Sequence, residues 1–441
     1  MKAAAVVAFV APVVAPVVPF TQAQVGAYGQ CGGNNYSGST TCIQGFECHA
    51  YSEWYSQCVP STGSPSTAPP TTAKPTQAPT TTKATTAPTT TKATPVPTTS
   101  TSPVTSTPTT SSPPVSTPGS NPKLPSSFQW TSTGPLISAK NDGRNIKGIK
   151  DPTVVQINGT YHVFASTASE AGYNLVYLKF EDPAKAQQAD FFYLDQAPLG
   201  YGYRAAPEVF YFAPQKLWYL IFQDGNAAYS TNPDINNPAG WTAPKQFYNG
   251  TPKIIQDNLA GGYWVDMFVI CDTANCYLFS SDDNGHLYQS STPIESFPNG
   301  MSDPIILLQD TANKFALYEA SAIYTIGTNQ YLMLVEAIGS DGNRYFRSWT
   351  ASSIAGPWKA LADTEANPFA RSNSVAFPDG AWTKSISHGE LVRTQPDQTI
   401  FLDLCEPIRF LYQGVDPSSN ADYNALPWQL GLLTQVGAPT C

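Results

Sequence analysis

The feature that most constrains the fold is a repeat of short apolar segments in the C-terminal part of the chain. The segments are TYHVFAS, WYLIFQDG, CYLFSSDDNG, QYLMLVEAIGSDGN and TIFLDL. Their aromatic residues Tyr161, Tyr219, Tyr277 and Tyr331 are 58, 58 and 54 residues apart, and Phe401 follows 70 residues later. Turn residues separate the segments and no long helical period intervenes, so each segment is predicted to be a β-strand.

Further strand patterns surround each of these segments. The preceding strands are DPTVVQI, APEVFYF, DMFVICD, EASAIYT and HGELVRT, and most repeats end with a third strand such as NLVYLKF or RYFRSWT. One small antiparallel unit cannot cover its own faces and must stack on its neighbours. The sequence therefore predicts an all-β fold, a five-bladed β-propeller. A β-sandwich is the alternative, but it would not predict the regular spacing.

The first strand of a propeller blade lines the central channel, so equivalent positions of successive blades converge at one end. Alignment of the five leading strands by their apolar pairs gives one residue per blade at this position, which we call the channel slot. The five residues are Asp151, Ala206, Asp266, Glu319 and His388. The sequence thus predicts three carboxyls and one imidazole facing one another.

Carboxyls crowded in a pocket raise one another's pKa, so one can stay protonated while another is ionised. Glycoside cleavage needs this division between an acid and a base or nucleophile. The alternative is that these acids cap turns or bind a structural cation. For His388 a structural hydrogen-bonding role and a role as cation or water ligand both stay open.

Other acidic residues are weaker candidates. Glu208 and Glu390 lie two positions beyond the slot, on the same strand face but deeper, and Glu336 is a further rival. The stretch SDDNG with Asp282 and Asp283 fits a hairpin turn better than a calcium loop, because the chelating spacing is absent. The sequence has no nucleophile elbow, phosphate loop, zinc-protease motif or dinucleotide fingerprint.

The N-terminal part divides into three segments. Residues 1–23 combine one Lys with a proline-broken apolar run and small residues, which predicts a secretory signal. Residues 24–60 carry Cys31, Cys42, Cys48 and Cys58, and two disulfides in one of three pairings would stabilise so small a unit. Residues 61–125 are rich in Thr, Ser and Pro and predict an extended linker. The propeller is expected over 126–441.

The composition and charge of the chain limit the kinds of molecule that it is expected to bind. Only 12% of the 441 residues are charged, the net charge is -9 and no basic cluster is present. A nucleic-acid partner would require a basic face, so none is expected, nor is a membrane. We expect a secreted monomer. The remaining cysteines indicate disulfides in an oxidising compartment: Cys271 and Cys276 flank a short turn, and Cys405 is within reach of Cys441, which leaves their pairing open.

The stretch from YGQCGG through WYSQC resembles the fungal cellulose-binding modules of carbohydrate-binding family 1, over essentially all of residues 24–60. The resemblance implies an antiparallel β module with disulfides Cys31–Cys48 and Cys42–Cys58. It also implies a flat cellulose-binding face, on which aromatic rings stack against pyranose rings. This face would carry Tyr28, Trp54, Tyr55 and Gln57.

The last part of the chain resembles the α-L-arabinofuranosidases of glycoside hydrolase family 62. The stretches that carry the resemblance include GIKDPTVV, GYRAAPEVFYFAPQKLWYLIFQDG, GYWVDMFVICDTANCYLFSSDDNGHLY, SHGELVR and YNALPWQLGLLTQ. It implies a five-bladed propeller and an inverting mechanism, with Asp151 as general base and Glu319 as general acid. Asp266 would tune the pKa of the acid and orient the sugar.

The same resemblance implies further roles. Contacts with arabinose or the xylan backbone would come from Lys150, Arg204, Gln413, Tyr423 and Asn424. His388 matches a histidine associated with a channel cation, so one structural calcium is expected, while no cofactor is needed for the chemistry. Where the family usually has Gln, this chain has Glu208.

The expected activity is removal of terminal arabinofuranosyl groups from arabinoxylan by an enzyme anchored to cellulose. Two alternatives stay open. The first is a related propeller glycosidase that acts on arabinan or xylo-oligosaccharides, and the second is a non-catalytic propeller that only binds polysaccharide. The three acids at equivalent positions favour catalysis.

Overall fold

The computed structural model describes residues 24–25, 30–32, 39–42, 44, 46–50, 56–60 and 123–437. The chain divides into two units, with the boundary between Pro118 and Gly119. The predicted signal and most of the predicted linker lie outside the described residues, and the two units are described separately. No helix among the described residues is long and apolar enough to span a membrane.

The described part of the N-terminal unit is a three-stranded antiparallel sheet in the order β1-β3-β2. Its strands are β1 (Gln30–Gly32), β2 (Phe46–Ala50) and β3 (Ser56–Pro60). Disulfides join Cys31 to Cys48 and Cys42 to Cys58, which confirms the pairing that the resemblance implied. Gln57 lies in β3, while Tyr28, Trp54 and Tyr55 lie outside the described residues.

The second unit consists of five antiparallel sheets arranged as the blades of a propeller, with almost no helix. The predicted fold class is therefore confirmed. Each predicted group of three strands gains an additional outer strand. The strands are β4 (Trp130–Ser132), β5 (Gly148–Ile157), β6 (Thr160–Ser169), β7 (Gly172–Phe180), β8 (Phe192–Tyr193), β9 (Ala205–Phe212), β10 (Leu217–Gln223), β11 (Ala227–Asn232), β12 (Lys245–Gln246), β13 (Val265–Cys271), β14 (Asn275–Ser281), β15 (His286–Pro293), β16 (Ile305–Gln309), β17 (Glu319–Gly327), β18 (Gln330–Ile338), β19 (Arg344–Ala351), β20 (Lys359–Ala360), β21 (Val375–Ala376), β22 (Ser387–Leu391), β23 (Arg409–Gly414) and β24 (Gln429–Gln435).

Helical structure is confined to short segments between strands. The one α-helix among the described residues is α1 (Lys253–Asn258). The 3-10 helices are Pro183–Gln188, Leu194–Gln196, Pro238–Gly240, Lys314–Ala316, Ser372–Ser374 and Tyr423–Ala425.

Blades 1 to 4 are formed by consecutive strands β5–β8, β9–β12, β13–β16 and β17–β20. Blade 5 has the order β21-β4-β24-β23-β22, so it combines the first strand of the unit with its last strands. Strand β4 pairs antiparallel with β24, with Thr131 opposite Thr434. Pairing of the two ends of the unit in one sheet closes the ring of blades.

The prediction that TIFLDL forms the second strand of blade 5 is wrong, since that strand is β23. The segment 393–401 instead runs across the channel end that is remote from the slot. Its carbonyls accept hydrogen bonds from the first strands of blades 1 to 4 in turn: from Gln156, Tyr211, Cys271 and Thr325, at 2.7, 2.7, 2.8 and 3.2 Å. The 70-residue interval before Phe401 reflects the additional chain between β20 and β22, which includes β21.

The first strand of every blade is interrupted by a bulge near the slot. In blades 1 to 4 the bulge places one residue in the left-handed region, with φ of 48° at Asp151, 48° at Ala206, 58° at Asp266 and 53° at Ala320. The predicted alignment is therefore wrong by one residue in blade 4. Ala320 occupies the slot, and Glu319 precedes it at the position that Lys150 has in blade 1. Apolar spacing alone could not locate the extra residue of a bulge.

Apolar side chains fill the space between neighbouring blades. Phe164 of blade 1 meets the buried Trp241, which follows β11 of blade 2, in an edge-to-face contact with ring centroids 5.5 Å apart. Trp130 of β4 packs similarly on Phe369, at 5.2 Å. Because each blade covers a face of the next, the ring is stabilised as a whole.

Polar side chains two positions beyond the slot link neighbouring blades at a deeper level. Glu390 of blade 5 accepts hydrogen bonds from the Val154 amide, at 3.0 Å, and from the Thr153 hydroxyl. The Thr153 oxygen in turn accepts from the Val209 amide of blade 2, at 3.1 Å. These residues are buried, and the prediction that Glu390 lies deeper than the slot is confirmed.

We predict that Thr153→Val lowers the free energy of unfolding by about 1 to 3 kcal/mol, because the buried Val209 amide loses its acceptor. Chemical denaturation of the full-length protein measures this difference. Thr311→Val, at an exposed position, is the matched control and should leave stability nearly unchanged. Equal stabilities for the two variants would contradict a stabilising role for the link between blades.

Candidate active site

The backbone amide of each left-handed slot residue is held by a side chain of the preceding blade. This pattern repeats around four blades, with donor–acceptor distances of 2.7 to 2.8 Å. The pairs, amide first, are Asp151 with Gln413, Ala206 with Ser166, Asp266 with Gln223, and Ala320 with Asp266. The slot residues are thus fixed by hydrogen bonds between blades as well as by their own strands.

The structure brings three of the predicted residues together at the mouth of the channel. The Nδ1 atom of His388 lies 3.6 Å from Asp151 Oδ1 and 3.6 Å from Asp266 Oδ2. Glu319 joins them, because its neighbour Ala320 donates its amide to Asp266 Oδ2. Residues separated by most of the domain in sequence therefore surround one site.

Positive charge surrounds Asp151. Burial alone would raise the pKa of its carboxyl, but Lys150, His388, a hydrogen bond from Ser166 and Arg344 together lower it. The Nζ atom of Lys150 is 3.8 Å from Asp151 Oδ1. Asp151 is therefore held in its ionised form, as a proton acceptor must be.

Asp266 has the opposite environment. Burial, followed by the charges of Glu319 and Asp151, raises the pKa of Asp266 well above its usual value, and the hydrogen bond from the Ala320 amide only partly opposes this. Two carboxyls of the same mouth are thus driven toward different protonation states, which is the pattern of an acid–base site.

Glu319 is bound to a guanidinium. Arg344 at the start of β19 forms ion pairs with both Glu319 and Glu336. Burial would raise the pKa of Glu319, but the charges of Arg344, Lys150 and His388 outweigh burial and lower it. The same Arg344 therefore positions Glu319 and keeps its proton loosely held.

A chain of hydrogen bonds continues from Arg344 to the Asp151 backbone. Glu336 accepts from the Ser387 hydroxyl at 3.1 Å. Ser387 Oγ accepts from Gln413 Nε2 at 2.9 Å, and Gln413 Oε1 accepts from the Asp151 amide at 2.7 Å. Gln413 is buried. Both polar atoms of its side chain are engaged within the protein.

A wall of aromatic residues surrounds the Lys150 ammonium. Its Nζ donates to the Tyr423 hydroxyl at 3.2 Å and lies 4.6 Å from that ring, 5.1 Å from Tyr173 and 5.6 Å from Trp428. Asn424 accepts from the Tyr173 hydroxyl at 2.9 Å. Tyr423 is 47% exposed, so this wall offers an aromatic surface to a ligand beside Asp151.

Arg204 does not join the carboxyls. Its guanidinium donates to the carbonyls of Tyr203, at 2.6 Å, and Leu199, at 3.4 Å. The neighbouring Tyr203 lies closer to the carboxyls. Its hydroxyl accepts a hydrogen bond from Gln223, and burial, together with the charges of Asp151 and Asp266, raises the pKa of Tyr203.

Sequence reasoning missed Arg344, Tyr203 and Ser387, and it ranked Glu336 only as a rival carboxyl. Glu336 had a signal, since it is one charge within the apolar run QYLMLVEAI. Arg344 comes at the end of the same hairpin, and β18 places Glu336 directly opposite Glu319. Pairing across two strands was needed to connect these residues.

A five-bladed propeller with oppositely perturbed carboxyls at one channel mouth, flanked by exposed aromatic rings, defines a carbohydrate-cleaving hydrolase. Residues 129–434 match the sequence model of "Glycosyl hydrolase family 62". The match covers more than half of the chain, and the chain belongs to this family. Residues 27–55 match that of the "Fungal cellulose binding domain". Both resemblances seen in the sequence are confirmed.

A curated relative that matches across the second unit is an arabinofuranosidase. The chain is 44% identical over 319 residues to α-L-arabinofuranosidase C of Cellvibrio japonicus, covering 72% of this chain and 48% of the relative. The chain thus spans about half the length of that curated relative. Similarity in the N-terminal region extends to other enzymes, including an endo-1,4-β-xylanase A of Phanerodontia chrysosporium, 48% identical over 50 residues, or 11% of this chain and 12% of the relative.

Solved structures agree in fold and sequence. The catalytic domain of a family 62 α-L-arabinofuranosidase from Coprinopsis cinerea is 64% identical, with a TM-score of 0.71, covering 72% of this chain and 100% of that one. An α-L-arabinofuranosidase from Podospora anserina, solved in complex with cellotriose, is also 64% identical, with a TM-score of 0.71. That match covers 72% of this chain and 99% of the other. A family 62 hydrolase solved in complex with xylotriose is 65% identical, with a TM-score of 0.69, and the match covers 70% of this chain and 98% of the other.

Proposed function

We propose that this protein is a secreted, inverting α-L-arabinofuranosidase that removes terminal arabinofuranosyl side groups from arabinoxylan. The observation that carries the proposal is the opposite environment of Asp151 and Asp266, two carboxyls at one channel mouth. The relatives' arabinofuranosidase activity and the xylotriose-bound family structure support the choice of substrate.

In the proposed mechanism, the ionised Asp151 takes a proton from water as the water attacks the anomeric carbon. Glu319 gives a proton to the departing xylose oxygen, so the glycosidic bond breaks and an O–H bond forms. Asp266 tunes the acid and orients the sugar. For an inverting enzyme, we expect the Asp151 and Glu319 carboxyls to act across a gap of roughly 6.5 to 9.5 Å that admits the water.

Substrate contacts follow from the geometry. We assign the arabinose or xylan contacts to Lys150, Tyr423 and Asn424, which lie in or beside the aromatic wall next to Asp151. We propose that Arg204, in the loop before β9, also contacts the substrate. Gln413 acts by holding the Asp151 amide, because its own polar atoms are already engaged.

We predict that Asp151→Asn and Glu319→Gln each lower kcat on arabinoxylan by roughly 100- to 10,000-fold, as expected for loss of a general base or acid. Asn tolerates the left-handed backbone of position 151, so the fold should be kept. Asp303→Asn, at an exposed position, is the control.

A time course of arabinose release followed by NMR measures the rate and shows the first-formed anomer, which should have the configuration opposite to that of the substrate. Absence of arabinose with the unmodified protein, or an unchanged rate for Asp151→Asn, would contradict the proposal. Release from arabinan or cleavage of xylobiose instead would identify a different propeller glycosidase.

The chemistry of family 62 glycosidases needs no cofactor, but we propose one structural calcium in the channel. A small cavity of about 20 Å³ is lined in part by the slot residues His388 and Asp266 and by the deeper Glu208 and Glu390. Glu208 Oε2 accepts from the Val269 amide at 2.6 Å, while its buried Oε1 has no hydrogen-bond partner within the described ranges of the chain.

Oxygen donors and one imidazole fit a hydrated calcium ion. His388 and Glu208 would hold it, and its charge would offset that of the buried acids.

We predict that removing calcium with a chelator lowers Tm by roughly 5 °C and that added calcium restores it, because a ligand bound only by the folded state stabilises that state. Differential scanning calorimetry of the full-length protein measures the change. His388→Ala should abolish the response to calcium. A Tm that is independent of chelator in the unmodified protein would rule out this site.

We further propose that the N-terminal module attaches the enzyme to cellulose and that residues 61–125 act as a tether, which raises the local enzyme concentration near xylan. The match of residues 27–55 to the fungal cellulose binding domain supports this. The disulfides and the sequence of residues 1–23 support secretion.

We predict that Trp54→Ala in the full-length protein weakens adsorption to microcrystalline cellulose by roughly 3- to 10-fold, the effect of losing one stacked aromatic ring. Depletion of protein from solution measures the affinity. Activity on soluble arabinoxylan should stay the same, which separates anchoring from catalysis. Unchanged adsorption would show that Trp54 does not contribute to the cellulose-binding face.

A further inference from the structure

Asp283, in the turn between β14 and β15, contacts the proposed acid. Its carboxyl lies within hydrogen-bonding contact of the Glu319 carboxyl, and its Oδ1 is buried and receives no hydrogen bond from any donor in the described part of the chain. Two ionised carboxylates accept hydrogen bonds and cannot donate one, whereas a protonated carboxyl can donate to a carboxylate. A proton held between Asp283 and Glu319 satisfies this contact.

The turn holds Asp283 firmly in this place. Asp283 has a φ of 58°, a left-handed conformation that Asp and Asn tolerate best after Gly. The buried Asp282 accepts from the Asn284 amide at 2.9 Å and from the Tyr288 hydroxyl at 2.8 Å. The Asn284 side chain also donates to the Leu259 carbonyl after α1. The prediction of a hairpin turn is correct, but Asp283 faces the site as well.

Charged and titratable groups from blades 3 and 4 face Asp283. They are Glu319 and Tyr318 at the start of β17, Asp266 on β13 and Arg344 on β19. Burial, and then the charges of Glu319 and Asp266, raise the pKa of Asp283 to about 9, against the opposing charge of Arg344. Protonation of Asp283 near neutral pH agrees with the contact between the carboxyls.

Glu319 alone would hold its proton poorly. Arg344, Lys150 and His388 outweigh burial and lower the pKa of Glu319, yet a general acid must carry a proton when the substrate binds. A second carboxyl in contact with Glu319 resolves this conflict, because two adjacent carboxyls resist losing their last shared proton.

We propose that Asp283 and Glu319 act as one acid that shares a single proton, with Asp283 as the positioning residue and Glu319 facing the leaving oxygen; this rests on the proposed function. When the bond between the anomeric carbon and the xylose oxygen breaks, the shared proton passes from Glu319 to that oxygen. The pair then carries two negative charges, which the Arg344 guanidinium offsets. The water proton goes to Asp151, so protons and charge balance.

The test compares Asp283→Asn with the unmodified full-length protein on two substrates. Asn keeps the left-handed turn but removes the carboxyl. Arabinoxylan has an alcohol leaving group that needs a proton, whereas 4-nitrophenyl α-L-arabinofuranoside releases a phenolate that needs little help. Asp257→Asn, at an exposed site whose carboxylate pairs only with the exposed Lys253 among the described residues, is the matched control.

We expect Asp283→Asn to lower kcat on arabinoxylan roughly 10-fold or more but to change the rate on the nitrophenyl substrate by less than about 2-fold. The alkaline limb of kcat/KM on arabinoxylan should move to lower pH by about one unit, because Glu319 loses the partner that helps retain its proton. Glu319→Gln should show the same contrast between substrates. Asp257→Asn should match the unmodified protein in both rates.

Two outcomes would overturn the inference. The first is an unchanged alkaline limb and an unchanged rate on arabinoxylan. The second is an equal loss on both substrates with a lowered Tm, which would show that Asp283 only supports the turn. Failure of the unmodified protein to release arabinose from arabinoxylan is a separate result and would overturn the proposed function itself.

Discussion

The site depends on one repeated interaction, the hydrogen bond from a slot amide to a side chain of the preceding blade. A left-handed residue turns its amide away from its own ladder, and an unpaired buried amide is costly. Gln413, Ser166, Gln223 and Asp266 accept these hydrogen bonds in succession. The strain at the slot is thus compensated only when the blades are correctly docked. Ring closure by β4 and the placement of the carboxyls are consequently parts of one cooperative arrangement.

Sequence patterns predicted the number of blades because the period of the apolar strands survives variation in loop length. They also predicted the convergence of Asp151, Asp266 and His388, since each directly precedes the apolar part of a channel strand. Glu319 was placed one position wrong, because a bulge inserts a residue without altering the apolar pattern. The second strand of blade 5 was misplaced, because TIFLDL, residues 399–404, has the apolar pattern of a strand. Contacts such as Arg344 with Glu319, or Asp283 with Glu319, arise only when separate hairpins are packed.

The electrostatics of the mouth depend on where the cations are held. Lys150 is fixed beside Asp151 by Tyr423, and Arg344 is shared between Glu319 and Glu336. These two cations allow several acids to be buried within one small volume, where unbalanced charges would be prohibitive. Against the effect of burial, Lys150 and Arg344 help to lower the pKa of both Asp151 and Glu319, whereas burial and the neighbouring acids raise the pKa of Asp266. The protonation states at the mouth are therefore set in part by residues that need not exchange protons with the sugar.

The segment 393–401, which crosses the remote ends of the first strands of blades 1 to 4, has a consequence for substrate choice. It crosses the channel at the end remote from the acids. Under the proposed function, a polymer would therefore approach the acids from the mouth. A single-residue branch would enter first while its parent chain lies across the rim, which agrees with removal of side groups rather than cleavage of the main chain.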